Sequence, residues 1–405
     1  MQFGFVGMMM KLKFSECVEY MIKGPFGSDM KKSLYVPKGE DTYKVYIQGN
    51  AIQKDENLGD YYVSSEYFHQ KLERFQVHPG DYIITCDGTL GKYIKLSDDI
   101  EPGVISSSLL LLKLDETKIY DKYFELLWEN SMLKYLASQA RNACLVHLPS
   151  AKAIGDVEII LPELSIQREI ADKAFLVKNI IMNRNAELVL FDELIKARFV
   201  ELFGSLNNNE KGLDIVSIDE LCTLIKDGTH QTPTYTEDKQ NGYKFLSSKD
   251  VMTQKICWND IKYIPAELHE KLYATIQPAR NDILMSKNGV NYGVAAVNDT
   301  DEVFDIYVSL ALLRPRIDRV NPVYLRCAIN NPDTKHQFDS SIKGIGVPNL
   351  HLGEIKKTKV LLPPMGRQNE FVAFVEQTDK SKAAVQAALD KAQLLFDSLM
   401  QEYFG

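Results

Sequence analysis

LPELSIQREIADKAFLVKNIIMNRNAELVLFDELIKARFVELFG, residues 161–204, is written a second time as LPPMGRQNEFVAFVEQTDKSKAAVQAALDKAQLLFDSLMQEYFG, residues 362–405. The two stretches register without a gap: Leu161-Pro162 falls on Leu362-Pro363, Gln167 on Gln368, Glu169 on Glu370, Leu188 on Leu389, and Phe203-Gly204 on Phe404-Gly405. Solenoid repeats run about 20 to 50 residues. A period close to half the chain marks a duplicated half-protein instead. The same shift carries into the preceding segments, where GDYIITCDGTLGK (Gly80 to Lys92) faces NDILMSKNGVNYG (Asn281 to Gly293) and Ser108 faces Ser309. Those flanks diverge far more than the repeated ends. Two similar but non-identical halves, each closed by the same kind of helix, predict approximate internal two-fold symmetry with two different working surfaces.

Each repeated end reads as one helix of about ten turns. With Ile170 as heptad position a, the a and d places hold Ile170, Ala174, Val177, Ile181, Arg184, Leu188, Phe191, Ile195, Arg198 and Leu202. The second copy places Phe371, Val375, Thr378, Lys382, Val385, Leu389, Ala392, Phe396, Leu399 and Tyr403 there, an apolar seam interrupted at Thr378 and Lys382. Such a seam asks for a partner helix. Antiparallel pairing of the two helices is the simplest solution; two ordinary amphipathic helices, each packed on its own domain, are the alternative. Pro162 and Pro363 mark the approach, Ser165 and Gly366 are acceptable N-caps, and Gly204 and Gly405 sit where a glycine closes a helix. A helix of about 38 residues is a rod of roughly 57 Å, long enough to hold two domains apart.

The segments before the helices alternate short apolar runs with turn signals. Strand candidates are Tyr43 to Gln48, Asp81 to Thr85 and Ser108 to Leu114, then Tyr243 to Ser248, Asp282 to Ser286 and Tyr307 to Pro315. Short helices are expected around Tyr120 to Ala140 and Pro322 to Asn330. The expected fold class is α+β: two mixed α/β domains, residues 1–160 and 205–361, joined by two long antiparallel coiled-coil helices, residues 161–204 and 362–405.

Composition bounds the class. A chain of 405 residues with 45% hydrophobic and 25% charged residues has material for several cores. The apolar start, Met1 to Met10, lacks a basic region and a small-residue cleavage site, and no run of about 18 apolar residues occurs. A soluble, cytoplasmic protein is expected. Six cysteines (Cys17, Cys86, Cys144, Cys222, Cys257, Cys327) lie far apart without a Cys-x-x-Cys pair, which favours buried reduced thiols over a metal or disulfide role. The net charge of -8 argues against a protein that coats nucleic acid non-specifically, but leaves room for a reader whose positive charge is local.

Catalytic signatures are missing: no phosphate loop, no His-Glu-x-x-His helix and no G-x-S-x-G elbow. Asn321-Pro322-Val323-Tyr324 approaches the Asn-Pro-Pro-Tyr of adenine methyltransferases. Its second proline is absent, no glycine-rich strand-turn precedes it, and the first copy has Asp121-Lys122-Tyr123-Phe124 at that place. Pro322 therefore reads as a first-turn helix starter.

What the halves do share are polar, glycine-bearing loops. Lys23 to Asp29 faces Lys226 to Pro233, Cys86 to Lys92 faces Lys287 to Gly293, and Ser138 to His147 faces Ser341 to Asn349. Glycine lets a backbone N–H approach a phosphate, and Lys, Ser, Thr and Asn contact phosphates and base edges. Hairpin turns carry the same Asp-Gly and Asn-Gly pairs for backbone reasons alone. The candidate DNA contacts are Lys23, Ser28, Thr89 and Lys92 in the first half, with Lys226, His230, Thr232, Lys287, Asn288, Asn291, Tyr292 and Lys343 in the second.

The helical motif Leu-Pro-x-x-x-x-Gln-x-Glu leading to Phe-Gly, with the Gly80 to Lys92 pattern before it, resembles the specificity subunits of type I restriction-modification systems. The resemblance covers the whole length and is closest in LLPPMGRQNEFVAFVEQTDKSK and LLFDSLMQEYFG; the first copy departs, with Glu163 for Pro364 and LIKARFVELFG as its tail. It implies two target recognition domains that read a bipartite, asymmetric site in double-stranded DNA, a helix pair that sets the spacer, and no catalysis by this chain. Two methyltransferase subunits would bind it and use S-adenosylmethionine to methylate adenine. Restriction subunits, driven by ATP with Mg, would join for cleavage. Two other classes stay open from the residues: a coiled-coil scaffold that reads no DNA, and an enzyme, methyltransferase or nuclease, with unrecognised motifs.

Overall fold

The computed structural model describes residues 10–138, 147–342 and 348–405. The chain divides into two units, Met1–Asn183 with Leu389–Gly405, and Arg184–Ala388. The division passes through both long helices rather than at their ends.

The first half supplies β1 (Met10–Lys13), β2 (Val18–Lys23), β3 (Thr42–Tyr46), β4 (Tyr62–Ser64), β5 (Tyr82–Thr85), β6 (Tyr93–Lys95), β7 (Gly103–Ile105), β8 (Leu109–Leu114) and β9 (Glu158–Leu161). The second supplies β10 (Asp214–Ser217), β11 (Cys222–Asp227), β12 (Tyr243–Leu246), β13 (Lys262–Ile264), β14 (Ile283–Ser286), β15 (Ala295–Val297), β16 (Phe304–Ile306), β17 (Leu310–Pro315) and β18 (Lys359–Leu362). Topology repeats sheet by sheet. The four-stranded orders β2-β8-β5-β6 and β11-β17-β14-β15 correspond, as do β4-β3-β7 and β13-β12-β16, and the ribbons β1-β9 and β10-β18. The duplication is thus structural and not confined to the helices.

The run Leu109 to Leu114 shows why β8 is central. In a strand, alternate side chains leave on opposite faces. Leu110, Leu112 and Leu114 enter one core with Phe124 and Trp128, whereas Leu109 and Leu111 enter another with Val45 and Phe68. β17 divides likewise, Ala311 and Leu313 on one side and Leu310 and Leu312 on the other. The continuous apolar run is a strand covered on both faces.

All six expected strands form, each shorter than expected at one end; the other end coincides at Thr85 (β5), Leu114 (β8), Tyr243 (β12), Ser286 (β14) and Pro315 (β17), and Thr42 extends β3 by one residue. The expected helix near Tyr120 runs from Asp121 to Ser138 with one wider turn at Trp128–Met132, and its partner is Pro322–Ile329. Ala140 lies outside the described residues. Asn321 caps that second helix, its side chain accepting from the Val323 N–H, and Tyr324 is fully buried with its hydroxyl donating 2.7 Å to the Leu361 carbonyl. This is a helix start, not a base-stacking site. Cys17, Cys86 and Cys222 are buried free thiols and Cys257 and Cys327 are half-buried ones; Cys144 lies outside the described residues.

The two long helices are Leu164–Phe203 and Met365–Phe404. Every heptad a and d place of both is buried or half-buried. In the first unit Ile170 and Ala174 share a core with Met400 and Phe404; in the second Phe199 and Phe203 share one with Phe371 and Val375. Within each unit, then, the beginning of one helix packs on the end of the other, an antiparallel arrangement. The two polar places in the seam of the second helix are satisfied: Lys382 pairs with Asp192, and the Thr378 hydroxyl donates 2.9 Å to the Phe374 carbonyl. A polar place that is satisfied only in one alignment fixes register. One expectation needs correction. The helices begin at Leu164 and Met365, so Ser165 and Gly366 lie in the first turn rather than at the caps; the Glu163 and Pro364 carbonyls close that turn instead. Gly204 ends the first helix as expected, at φ +76 with its N–H on the Val200 carbonyl at 2.7 Å.

Gln167 and Gln368 explain the repeated motif. Both are fully buried. The Gln167 amide donates to the carbonyls of Lys118 (2.9 Å) and Pro162 (2.8 Å) and accepts from the Tyr120 N–H (2.8 Å). Gln368 repeats this on Arg319 (3.2 Å), Pro363 (2.8 Å) and the Asn321 N–H (2.8 Å). Each amide locks three backbone segments that would otherwise carry buried, unpaired groups. Gln368→Leu is expected to lower stability by about 2–4 kcal/mol, since it strands two carbonyls and one N–H, whereas the exposed Gln401→Leu should change it by under about 0.5 kcal/mol. Urea unfolding of the full chain, comparing midpoints at constant slope, checks this.

Candidate nucleic-acid interface

In each half three segments meet at the ends of β2 or β11, β5 or β14, and β8 or β17. The Gly24 N–H donates to the Leu109 carbonyl at 2.8 Å, the Cys86 N–H to Ser108 at 2.8 Å, and the Leu148 N–H to Cys86 at 2.8 Å. The second half repeats this frame: Gly228 to Leu310 at 3.2 Å, Lys287 to Ser309 at 2.9 Å and Leu350 to Lys287 at 2.9 Å. Asp87 bridges His147 as Asn288 bridges Asn349.

This frame revises two sequence readings. A Cβ on Gly24 would lie 2.1 Å from the Ser106 carbonyl oxygen, and one on Gly228 would lie 2.3 Å from that of Ile306. These glycines permit two backbones to cross, and their N–H groups are already used. They do not offer them to a phosphate. Nor is the spacing between the copies constant. Gly24 and Gly228 are equivalent, so Lys23 corresponds to Asp227 and not to Lys226. At the hairpin, the Thr85 hydroxyl accepts from the Lys92 N–H at 3.0 Å and bonds the Thr89 carbonyl, while the Ser286 hydroxyl accepts from the Val294 N–H at 2.9 Å and donates 2.8 Å to the Asn291 carbonyl. The second turn is one residue longer, and Lys92 corresponds to Val294.

Placement sorts the candidates. Ser28, Thr89 and Lys92 are exposed in the first half, and the Lys92 ammonium has no partner among the described residues. Lys23 is half-buried and donates 3.1 Å to the Leu148 carbonyl. In the second half His230, Thr232 and Asn291 are exposed, His230 at 3.5 Å from Asp227. Lys226 is exposed and donates 2.9 Å to the Thr275 carbonyl. Lys226, Asp227 and His230 border one open cavity of about 450 Å³. Asn288 is half-buried. Lys287 is not a surface donor: it is 4% exposed, and its ammonium is paired with Asp227. Tyr292 is 9% exposed, its hydroxyl donating to Asp339 and its ring lying 3.9 Å beneath the Lys335 ammonium. The Asp339 carboxylate pushes that hydroxyl's pKa up, so the phenol stays protonated. Lys343 lies outside the described residues.

Where the second half has Lys287, the first has Cys86, whose thiol burial pushes up to about 12. The Lys23 ammonium therefore faces a neutral group, whereas Asp227 faces a cation. Two exposed apolar residues stand on the same loops: Phe26, 77% exposed, and Val290, 83% exposed at the hairpin tip beside Gly289 at φ +86. A search for donor side chains passes over them. Their signal in the sequence is an apolar residue inside a glycine turn, where nothing can bury it.

Residues 210–392 match the family model of the type I restriction modification DNA specificity domain. Over 365 residues, 82% of this chain and 83% of the relative, the sequence is 23% identical to the type I restriction enzyme MjaVIII specificity subunit of Methanocaldococcus jannaschii. The fold is similar to the type I restriction-modification S subunit from M. genitalium, with TM-score 0.57 and 14% identity over 100% of this chain and 98% of that one. It is equally similar, at TM-score 0.57 and 15% identity over 98% of both chains, to a structure described for complex assembly and conformational transition of the type I R-M system.

The buried pair makes a prediction at this site. Asp227→Ala leaves Lys287 buried without a counter-charge and should cost about 3–5 kcal/mol. Lys23→Ala removes one hydrogen bond beside a neutral thiol and should cost about 1 kcal/mol. Chemical denaturation of the two variants measures the difference; equal losses would contradict a structural role for Lys287.

Proposed function

We propose that this type I specificity subunit reads a bipartite, asymmetric site in double-stranded DNA, one half-site through the loop cluster of each unit, while the two long helices set the spacer. One observation carries the reading: both halves present the same backbone frame, hydrogen bond for hydrogen bond, with different side chains on it. A frame kept while its exposed residues change is what two readers of different sequences require. Phosphate contacts fall to Lys92 and Lys226, and base contacts to Thr89, His230, Thr232 and Asn291. Phe26 and Val290 supply apolar contact with a thymine methyl or a wedge at a base step. Lys287 and Tyr292 hold the second cluster in shape.

The chain performs no chemistry in this reading. Two methyltransferase subunits dock on it and carry S-adenosylmethionine, and restriction subunits with ATP and Mg complete the assembly. The net charge of -8 fits such a division, with partners supplying much of the backbone clamp. No helix among the described residues is long and apolar enough to cross a membrane. The assembly would work in the cytoplasm, where the DNA is.

Exchange of residues 1–160 for the equivalent segment of a relative tests the division of labour. Methylated-base mapping in cells carrying the hybrid and its methyltransferase subunit should show one half-site changed and the other kept. Change in both halves would end the modular reading. At the level of single residues, Lys92→Ala is expected to weaken binding of the assembled complex to all sequences alike and to flatten the salt dependence by about one unit. Asn291→Ala should instead relax selectivity at one position by about 1–3 kcal/mol. Binding to the true site and to single-base variants at two salt concentrations separates the two effects.

A further inference from the structure

We infer that Arg326 and the cavity it lines form a docking slot for one acidic side chain, aspartate or glutamate, of a protein partner, a slot present in the second unit and missing from its equivalent in the first. The proposal rests on the reading of this chain as the organising subunit of an assembly.

Arg326 is 7% exposed, on the helix Pro322–Ile329, yet among the described residues its guanidinium has no hydrogen bond and no carboxylate within ion-pair distance. A guanidinium without a protein partner keeps its charge only where water or an anion completes its N–H groups. Its remaining exposure opens into a cavity of about 30 Å³ between that helix, the segment around Lys255 and the two long helices. Four cationic side chains, Lys196, Lys255, Arg326 and Lys382, line it against two carboxylates, Asp192 and Asp379. Lys382 pairs with Asp192 and Lys255 lies 3.4 Å from Asp379. Arg326 and Lys196 have no carboxylate partner among the described residues, so the described lining carries a positive excess. Arg326 also borders a shallower depression with Asp299 and Glu376, neither of which reaches it.

Size selects the occupant. A water needs about 10–15 Å³ of such space, so this cavity admits about two water-sized groups. That suits the two oxygens of a carboxylate and crowds the four of a phosphate. A guanidinium binds a carboxylate through two parallel N–H···O bonds, the strongest ion pair available to a side chain.

The first unit shows the same helix position closed. There Glu125 stands in place of Arg326, and its carboxylate accepts from Tyr82 and Tyr93, each at 3.2 Å. The strand positions of those tyrosines hold Ile283 and Ala295 in the second unit, which carry no polar side-chain atom to partner Arg326. One half is self-satisfied and the other waits for an anion. Two copies of one partner, bound to the two halves, would therefore be held differently.

The test has two arms. In the first, the unfolding temperature of the full chain and of Arg326→Met is followed in sodium acetate, sodium phosphate and sodium chloride at matched ionic strength. Acetate should raise it for the wild type beyond chloride, and that increment should vanish in Arg326→Met, which is expected to fold because an apolar side chain replaces an unpaired charge. No acetate increment, or a larger one with phosphate, overturns the slot. In the second, the affinity of the wild type and of Arg326→Glu for the methyltransferase subunit encoded with this chain is measured. A loss of about tenfold or more is expected. Wild-type affinity in Arg326→Glu, with the acetate increment present, makes this a site for free carboxylate ions and overturns docking. A wild-type chain that holds no methyltransferase subunit at all fails the assembly reading itself, and is told apart by that control.

Discussion

The start of each long helix hangs on one buried side-chain amide. Gln167 and Gln368 each bond three backbone groups: the carbonyl of the proline shortly before the helix, a carbonyl three residues before a shorter helix, and the N–H of the residue that caps that shorter helix. An apolar side chain of equal volume would fill the space but leave those groups unpaired in a dry core. The amide therefore decides where the long helix begins on its domain, and with it which residues of the helix face the core. Phe203 and Phe371, Ile170 and Phe404 can meet in their clusters because the starting points are set.

On that fixed frame the two halves differ through exchanged charges in polar sites that satisfy themselves. Tyr43 stacks on Phe68 at 3.7 Å in the first half; at the equivalent place Tyr243 stacks on His269 at 3.6 Å, and Asp305 stands where the first half has Val104. The histidine is tolerated because its Nδ1 is 2.7 Å from the Asp305 carboxylate. Burial holds that carboxyl above the usual range even so. Asp227 with Lys287, against Lys23 with Cys86, follows the same rule. Arg326 departs from it, a charge that no described residue pairs, and the buried Arg198 Nε and Asn288 Oδ1 atoms likewise have no hydrogen-bond partner among the described residues.

Much of this architecture is legible in a single sequence. The repeat of Leu161 to Gly204 announces the duplication, because a copied pattern of seam residues can only be copied structure. Period seven places the seam of both helices, since helical geometry turns spacing into a face whatever surrounds it, while Phe199, Phe203, Met400 and Phe404 join the domain cores from beside that seam. Leu109 to Leu114 and Leu310 to Pro315 read as strands for an equally local reason, as do Asn321 and Pro322 as a helix start. The ribbons β1-β9 and β10-β18 are not legible, for each joins segments far apart in the chain with little apolar pattern of their own.

The candidate site is where local reading fails. Gly24, Lys287 and Tyr292 lie in loops that read in the sequence as DNA-contacting, the glycine for close approach to a phosphate, the lysine as a donor and the tyrosine as a base reader. Each is packed or paired with a neighbour distant in the chain, Ser106, Asp227 and Asp339 respectively. Phe26 and Val290, which a search for donor side chains passes over, stand in solvent on the same loops. The sequence by itself determined the repeat, the helices, their seam and the principal strands, because each is a periodic or terminal property of adjacent residues. Only the tertiary structure decided which polar groups are spent on one another and which remain for a partner, because a charge or a donor is free or committed according to what the fold brings within hydrogen-bond distance of it.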